Sequence, residues 1–180
     1  MHVIFETHSI SEDNEAGVAT GWLPGRLSAH GRELAVDLGR RRAAGGLAAV
    51  FSSDLARAVE TATIAFGGAV PILLDWRLRE CDYGEWNGRP RDDVHRCRRD
   101  FLDQPYPGGE SWRAAVARVT RFLDDLPARW AAERVLVIGH VASRWAFDEA
   151  MAGIALETSL EEEFDWRPGW DYEFTPDVRG

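Results

Sequence analysis

The stretch RVLVIGH, residues 134 to 140, is apolar throughout from Val135 to Ile138 and ends in a glycine and a histidine. A short, continuous apolar run is typical of a strand that is covered on both faces, as in a parallel sheet between helices. The segment that follows, VASRWAFDEAMAG, is predicted as a helix that ends at Gly153, a residue type common at helix C-termini. The sequence therefore predicts a strand followed directly by a helix.

The same order of strand and helix occurs twice more. HVIFE (residues 2–6) precedes LSAHGRELAVDLGRRRA (27–43), in which leucines recur at roughly helical spacing after Ser28, a candidate N-cap. LAAVFSS (47–53) runs into DLARAVETATIAF (54–66), whose apolar residues share one helical face. Alternating strands and helices favour a sheet between helical layers. We therefore predict an α/β fold, a three-layer α/β/α sandwich with a mostly parallel central sheet.

The rest of the chain is expected to complete one domain over residues 1–180. A length of 180 residues suits one domain with a sizeable core, and the sequence has no internal repeat and no linker. The further elements expected are a weak strand at 70–78, a loop at 81–93, a solvated arginine-rich helix within 88–100, a helix from Ser111 to Pro127, and a late strand at 171–175.

Composition narrows the classes of partner. The net charge of -9 and the pI near 5.0 argue against nucleic acid or an anionic membrane as the main partner, because both require a basic surface. No apolar run approaches the roughly 20 residues of a membrane span. Cys81, Cys97 and the five histidines lack metal-site spacing, and no signal peptide is apparent. We expect a reduced, cytoplasmic protein without a metal.

Polar side chains follow each predicted parallel strand at its carboxyl end, where such folds bind ligands. His8 follows the first strand, Arg57 the second, Glu80 the third and His140 the fourth. Two imidazoles and an arginine in the first turn of a helix could receive a phosphoryl group, and a carboxylic acid could protonate its leaving oxygen. Each residue taken singly could equally be a polar group at the surface or at the edge of the core.

Six motifs, in this order, resemble those of the histidine phosphatase superfamily, the phosphoglycerate mutase-like family. The resemblance covers roughly residues 3–152. The motifs are ETHSISEDN (6–14), TGWLPGRLSAHG (20–31), SSDLARAVETA (52–62), LRECDYGEWNG (78–88), PGGES (107–111) and VLVIGH (135–140).

The resemblance implies a role for each matching residue. His8 would be the nucleophile that forms a phosphohistidine, and Glu80 the general acid and later the base. Groups that would hold the phosphoryl oxygens or line the pocket are Arg57, His140, Asn14, the backbone amide of Val141, Thr20 and Gly21. No metal or organic cofactor is implied.

The first motif departs from the family pattern. Thr7 and Ser9 stand where the Arg-His-Gly motif has arginine and glycine, so a neutral hydroxyl replaces a cation beside His8. Hydrogen bonds to charged groups contribute about 1.5–3 kcal/mol each, and losing about 3 kcal/mol slows a reaction about 100-fold. Arg144, one helical turn after His140, is the first candidate replacement, and Arg26 is the second. Alternatively, Arg144 is a solvated helix residue.

Glu6 is a second departure, because this strand position would normally be apolar. In a regular strand Glu6 and His8 lie on the same face. A carboxylate bonded to the imidazole would fix its tautomer and raise its basicity. Alternatively, Glu6 pairs structurally with an arginine.

Several tryptophans also have two interpretations, as core residues or as the wall of a pocket for an apolar or ring-bearing substrate: Trp22, Trp76, Trp86, Trp145, Trp166 and Trp170.

The leading functional hypothesis is a cofactor-independent phosphatase that hydrolyses a small phosphorylated metabolite. Mutase activity is an alternative, but the 16 residues between Gly88 and Pro105 are fewer than the basic substrate-capping insertion of the family's mutases. A third interpretation, motivated by Thr7 and Ser9, is a diverged member that binds a phosphorylated ligand or performs nonphosphoryl chemistry. A homodimer is left open.

Overall fold

A five-stranded sheet forms the centre of the protein, which we describe from a computed structural model covering residues 1–161 and 166–173. The strands are β1 (His2–Thr7), β2 (Ala49–Ser52), β3 (Ile72–Leu74), β4 (Arg134–Gly139) and β5 (Trp170–Glu173). They lie in the order β3-β2-β4-β1-β5. The neighbours among β1 to β4 pair in parallel, whereas β5 runs antiparallel to β1. The predicted mostly parallel sheet is confirmed.

Helices connect these strands. In the described residues they are α1 (Glu12–Glu15), α2 (Ala29–Arg42), α3 (Ala56–Phe66), α4 (Arg91–Cys97), α5 (Trp112–Asp125), α6 (Pro127–Trp130), α7 (Val141–Phe147) and α8 (Leu156–Ser159). Short 3₁₀ turns lie at Trp76–Leu78 and Gly84–Trp86. A π-helical turn at Asp148–Ala152 continues α7 as far as Gly153, whose φ of 66° ends the helix as predicted.

Each face of the sheet carries its own apolar cluster. Val3, Phe5 and Val137 pack with the buried residues of α5 and α7. Ile4 and Ile138 point to the opposite face, where they pack with α2 and α3. Because successive strand residues alternate between faces, strands covered on both sides are apolar throughout. The three-layer α/β/α arrangement is therefore confirmed.

Several local predictions are met and others need adjustment. The Ser28 hydroxyl accepts from the Gly31 amide at 3.0 Å and caps α2. The arginine-rich stretch forms α4, which buries Val94. Pro127 does not simply end a helix, because it also occupies the first turn of α6, where its missing N–H costs nothing. The late strand begins one residue early, at Trp170, and residues 174–175 of that prediction lie outside the described residues.

Candidate active site

The two central parallel strands place His8 beside His140. Thr7 at the end of β1 is in register with Gly139 at the end of β4, so the next residue of each strand emerges at the same edge. The two imidazole centroids are 4.9 Å apart, with the ring planes at 52°. The carboxyl edge of the sheet thus brings together the two histidines that the sequence predicted.

Arg57 links the two imidazoles. It lies in the first turn of α3 and is only 2% exposed. Its Nε donates to His8 Nε2 at 3.3 Å, and its Nη2 lies 3.3 Å from His140 Nδ1. The same guanidinium donates to the carbonyl oxygens of Gly21 at 2.9 Å and Leu23 at 3.2 Å. The cation is therefore held rigidly between the histidines and the loop after α1.

These contacts fix the tautomer of each histidine. His8 Nδ1 lies 2.7 Å from the Ser9 carbonyl oxygen, which can only accept, so Nδ1 carries the proton and Nε2 the lone pair. His140 has the opposite arrangement, because a guanidinium can only donate to its Nδ1. The proton of His140 is then on Nε2, a buried atom without a hydrogen-bond partner in the described part of the chain. Buried donors are rarely left unpaired, so this N–H marks a place for an acceptor.

The electrostatics keep both rings neutral. Burial, with the charge of Arg57, lowers the pKa of His8 to about 3. Burial and the same arginine also lower the pKa of His140 well below its usual value. A neutral His8 keeps the Nε2 lone pair that nucleophilic attack requires.

Glu80 completes the group of predicted catalytic residues. Its side chain is buried, and Oε1 accepts from the backbone amides of Cys81 at 2.9 Å and Ala142 at 3.1 Å. Oε2 accepts from the Val141 amide at 3.2 Å. Burial raises the pKa of Glu80 more than these bonds lower it, which favours the protonated form that a general acid needs. The bonds hold the carboxyl at the start of α7, next to His140.

The chain matches the model of the histidine phosphatase superfamily (branch 1) over residues 4–166. It belongs to that superfamily. A 2,3-bisphosphoglycerate-dependent phosphoglycerate mutase of Methylobacterium sp. (strain 4-46) is 35% identical over an alignment of 173 positions that covers 87% of this chain and 83% of the mutase.

Solved structures share the fold. YhfR of Bacillus stearothermophilus superposes with a TM-score of 0.85 at 25% identity, covering 97% of this chain and 92% of that one. The alpha-ribazole phosphatase of Shigella flexneri gives a TM-score of 0.80 at 23% identity, covering 92% and 86%. Phosphatases and mutases are thus both among the proteins that this superfamily member resembles.

The remaining predicted pocket residues surround a cavity of about 1090 Å³ that His8 and His140 also line. Thr7, Asn14, Thr20, Gly21 and Val141 all lie on its wall. The predicted role of the Val141 amide is not supported by this geometry, because that N–H donates to Glu80. Thr7, where the resemblance implies an arginine, is half-buried beside His8.

Two of these wall residues already have polar partners. Asn14 Oδ1 accepts from the Ser11 amide at 3.0 Å in a capping box, which leaves the side-chain N–H₂ for a ligand. Thr20 Oγ1 donates to Asp13 Oδ2 at 2.8 Å.

No group of three potential metal ligands occurs within residues 1–161 and 166–173. Among those residues, no helix is both long enough and apolar enough to cross a membrane.

The arginines predicted to replace the missing cation lie elsewhere. Arg144 pairs with Asp148 at 2.7 Å, donates to Tyr172 Oη at 2.8 Å and lies 4.4 Å from the Trp170 ring centroid. Its side chain is drawn towards β5 and is not part of the cavity wall. Arg26 is exposed and bonds to Glu12 Oε2 at 2.7 Å. This geometry therefore does not place Arg144 at the site.

Glu6 follows the structural alternative. Its Oε1 accepts from Arg42 Nε at 3.0 Å and Nη2 at 2.7 Å, and Oε2 lies 3.6 Å from Arg41 Nη2. The tautomer of His8 is set by the Ser9 carbonyl oxygen and not by this carboxylate. Burial nevertheless raises the pKa of Glu6, because desolvation outweighs the two arginines.

Sequence reasoning missed the residues that hold the Glu80 segment. The Glu80 carbonyl oxygen accepts from Trp22 Nε1 at 2.6 Å and from Arg118 Nη2 at 3.1 Å. Arg118 also donates to the carbonyl oxygens of Arg77 at 2.7 Å and Arg79 at 3.1 Å. The sequence did contain one signal for Arg118, because it lies on the apolar face of a predicted helix. A charge buried on such a face needs polar partners.

Proposed function

We propose that this chain is a cofactor-independent phosphatase that hydrolyses a small phosphorylated metabolite through a phosphohistidine on His8. The observation that carries the proposal is the buried Arg57 between two neutral imidazoles, with the His140 Nε2–H unpaired beside it. A neutral lone pair, a cation and an unpaired N–H at one strand edge are the groups that phosphoryl transfer requires.

In the first step, His8 Nε2 forms a bond to phosphorus and the phosphorus–oxygen ester bond breaks. The positive charge that develops on the ring is stabilised by the Ser9 carbonyl oxygen, which accepts from Nδ1–H. The Arg57 guanidinium and the His140 Nε2–H stabilise the nonbridging oxygens. The leaving oxygen receives the proton of the Glu80 carboxyl group, whose pKa burial raises.

In the second step, water attacks phosphorus and the phosphorus–nitrogen bond breaks. The Glu80 carboxylate left by the first step takes the proton of that water. Inorganic phosphate leaves, His8 returns to its neutral form and Glu80 is again protonated. The cycle consumes one ester and one water and needs no further reactant.

The test is phosphate release from a panel of phosphomonoesters in the presence of a metal chelator. We expect His8→Ala to lower release by roughly 10³-fold or more, and alkaline quenching to trap one phosphoryl group on wild type but none on this variant. His2→Ala removes a histidine outside the cavity wall and serves as the matched control. Release from His8→Ala at the wild-type rate, or silence of wild type across the panel, would overturn the proposal.

Mutase activity is the second candidate, and the 35% identity to a phosphoglycerate mutase favours it. The same experiment separates the two. Incubation with 3-phosphoglycerate and catalytic 2,3-bisphosphoglycerate yields 2-phosphoglycerate from a mutase, whereas a phosphatase yields glycerate and phosphate. Phosphoryl transfer between the two positions faster than phosphate release would establish the mutase.

A further inference from the structure

Beside the histidine pair, part of the cavity wall is apolar and aromatic. We define this aromatic arm by six wall residues: Val18, Ala19, Tyr83, Trp112, Val141 and Trp145. We propose that the alcohol part of the substrate carries a ring that lies against the aromatic arm. The inference rests on the proposed phosphatase function and adds the class of alcohol that is released.

The cavity has room for a sizeable alcohol. Its volume of about 1090 Å³ is at the upper end of typical small-molecule sites, which hold roughly 300–1,000 Å³. A phosphoryl group between His8 and His140 fills a small part of that space. Ligand sites of this kind normally bury most of the ligand surface, so we expect the alcohol to occupy the arm.

The arm presents a rigid aromatic wall. The ring centroids of Trp112 and Trp145 are 4.6 Å apart, and those of Tyr83 and Trp112 are 5.8 Å apart. Each of the three side chains belongs to the buried core and is less than a tenth exposed. The rings are therefore fixed before a ligand enters, and tilted or edge-to-face packing is the geometry that aromatic rings prefer.

The direction of the reaction leads the alcohol into this arm. In an in-line displacement the leaving oxygen lies opposite the attacking His8 Nε2. Glu80, the proposed proton donor, is held by the amide of Val141 at 3.2 Å. Trp145 lies one helical turn after Val141 on α7 and also lines the cavity. An alcohol protonated by Glu80 thus meets the aromatic wall.

The wall offers one polar contact. Tyr83 lines the cavity and is only 6% exposed. Burial and the neighbouring Glu80 carboxyl raise the pKa of Tyr83 well above its usual value, so the hydroxyl stays neutral. It can donate to or accept from a single polar substituent of the alcohol.

The test compares three esters on wild-type protein: 2-phenylethyl phosphate, propyl phosphate and 3-phosphoglycerate. The first two release alcohols of similar basicity, so a difference in kcat/KM reports contacts with the ring. We expect 2-phenylethyl phosphate to be preferred over both others by roughly 10-fold or more, chiefly through a lower KM. Equal or better turnover of propyl phosphate or 3-phosphoglycerate would overturn the inference and leave the phosphatase proposal intact. Failure to hydrolyse any ester would overturn both.

A pair of variants locates the preference. Trp145→Leu should lower the ratio of kcat/KM for 2-phenylethyl phosphate to that for propyl phosphate by roughly 5-fold or more. Trp76→Leu alters a half-exposed tryptophan outside the cavity wall and should keep the wild-type ratio. An unchanged ratio in folded Trp145→Leu, checked by circular dichroism, would contradict the assignment. If that variant does not fold, the wild-type ratio still decides.

Discussion

Thr7 stands where the resemblance to the Arg-His-Gly motif implies an arginine. It is half-buried on the cavity wall, and Arg144 and Arg26 pair elsewhere. The buried guanidinium of Arg57 remains between the histidines. An arginine introduced at position 7 would add one charge-assisted hydrogen bond to the phosphoryl group. The free energy of that bond sets how much activity the substitution can restore.

Thr7→Arg should raise kcat/KM on the best phosphomonoester by roughly 10- to 100-fold, since one charge-assisted bond contributes about 1.5–3 kcal/mol. Steady-state phosphate release measures the effect. Thr7→Met is the matched control, because it adds length without charge. Activity of Thr7→Arg no higher than that of Thr7→Met would show that position 7 does not face the phosphoryl group.

At the scale of the element, α5 positions the segment that carries Glu80. Arg118 is 3% exposed and donates to the carbonyl oxygens of Arg77, Arg79 and Glu80. Its charge is balanced by Glu110 of the PGGES motif, whose Oε1 also accepts from the Asp82 amide at 3.1 Å. The helix thus fixes the backbone on both sides of the proposed acid.

Arg118→Met should lower kcat/KM by roughly 10- to 100-fold, because displacements of about 1 Å at a reacting group have effects of this size. The substitution should also let water reach the Glu80 carboxyl, which removes the burial that raises its pKa. The alkaline limb of the pH profile of kcat/KM should therefore move to lower pH. Arg118→Lys should restore part of the activity. Arg121→Met, on the exposed side of α5, is the control. A folded Arg118→Met variant with a wild-type pH profile would refute this positioning role.

The elements also show what the sequence could predict. The apolar run of β4 and the alternation of strands and helices determined the fold, because buried parallel strands leave a continuous pattern. His8, Arg57, Glu80 and His140 could be predicted to meet because each follows a strand end. The position of Arg144 was not predicted correctly. Helical spacing predicts which face of the helix a residue lies on, but it does not predict the ion pair with Asp148 that draws this side chain away from the site. Arg118 was missed because the carbonyl oxygens that it binds lie far away in the chain.

At the scale of the whole molecule, the site buries groups whose protonation differs between the folded and unfolded chains. Burial lowers the pKa of His8 to about 3. As the pH falls below the usual value of 6.5, the unfolded chain binds a proton that the folded protein excludes, so the free energy of unfolding decreases. Glu6 and Glu80, whose pKa values burial raises, oppose this trend, since the folded protein retains protons that the unfolded chain releases.

Comparison with His8→Gln isolates the histidine contribution, because the opposing carboxyl groups are common to both proteins. Between pH 7 and pH 5, the free energy of unfolding of wild type should fall by about 2 kcal/mol relative to His8→Gln. Urea unfolding at each pH measures this difference. His30→Gln, at an exposed histidine, should follow wild type. Parallel pH dependences of wild type and His8→Gln would contradict a neutral His8.

The hydrogen bond from Arg57 Nε to His8 Nε2 has a consequence for selectivity among reagents. In the resting protein the lone pair of the imidazole is occupied by the guanidinium that a phosphoryl group would recruit. In the proposed mechanism, an incoming dianion would attract that guanidinium and so uncover the nitrogen at the moment of attack. An uncharged electrophile, such as an acylating reagent, would offer no such exchange and would meet a shielded nitrogen. The proposed nucleophile would thereby be reserved for anionic substrates.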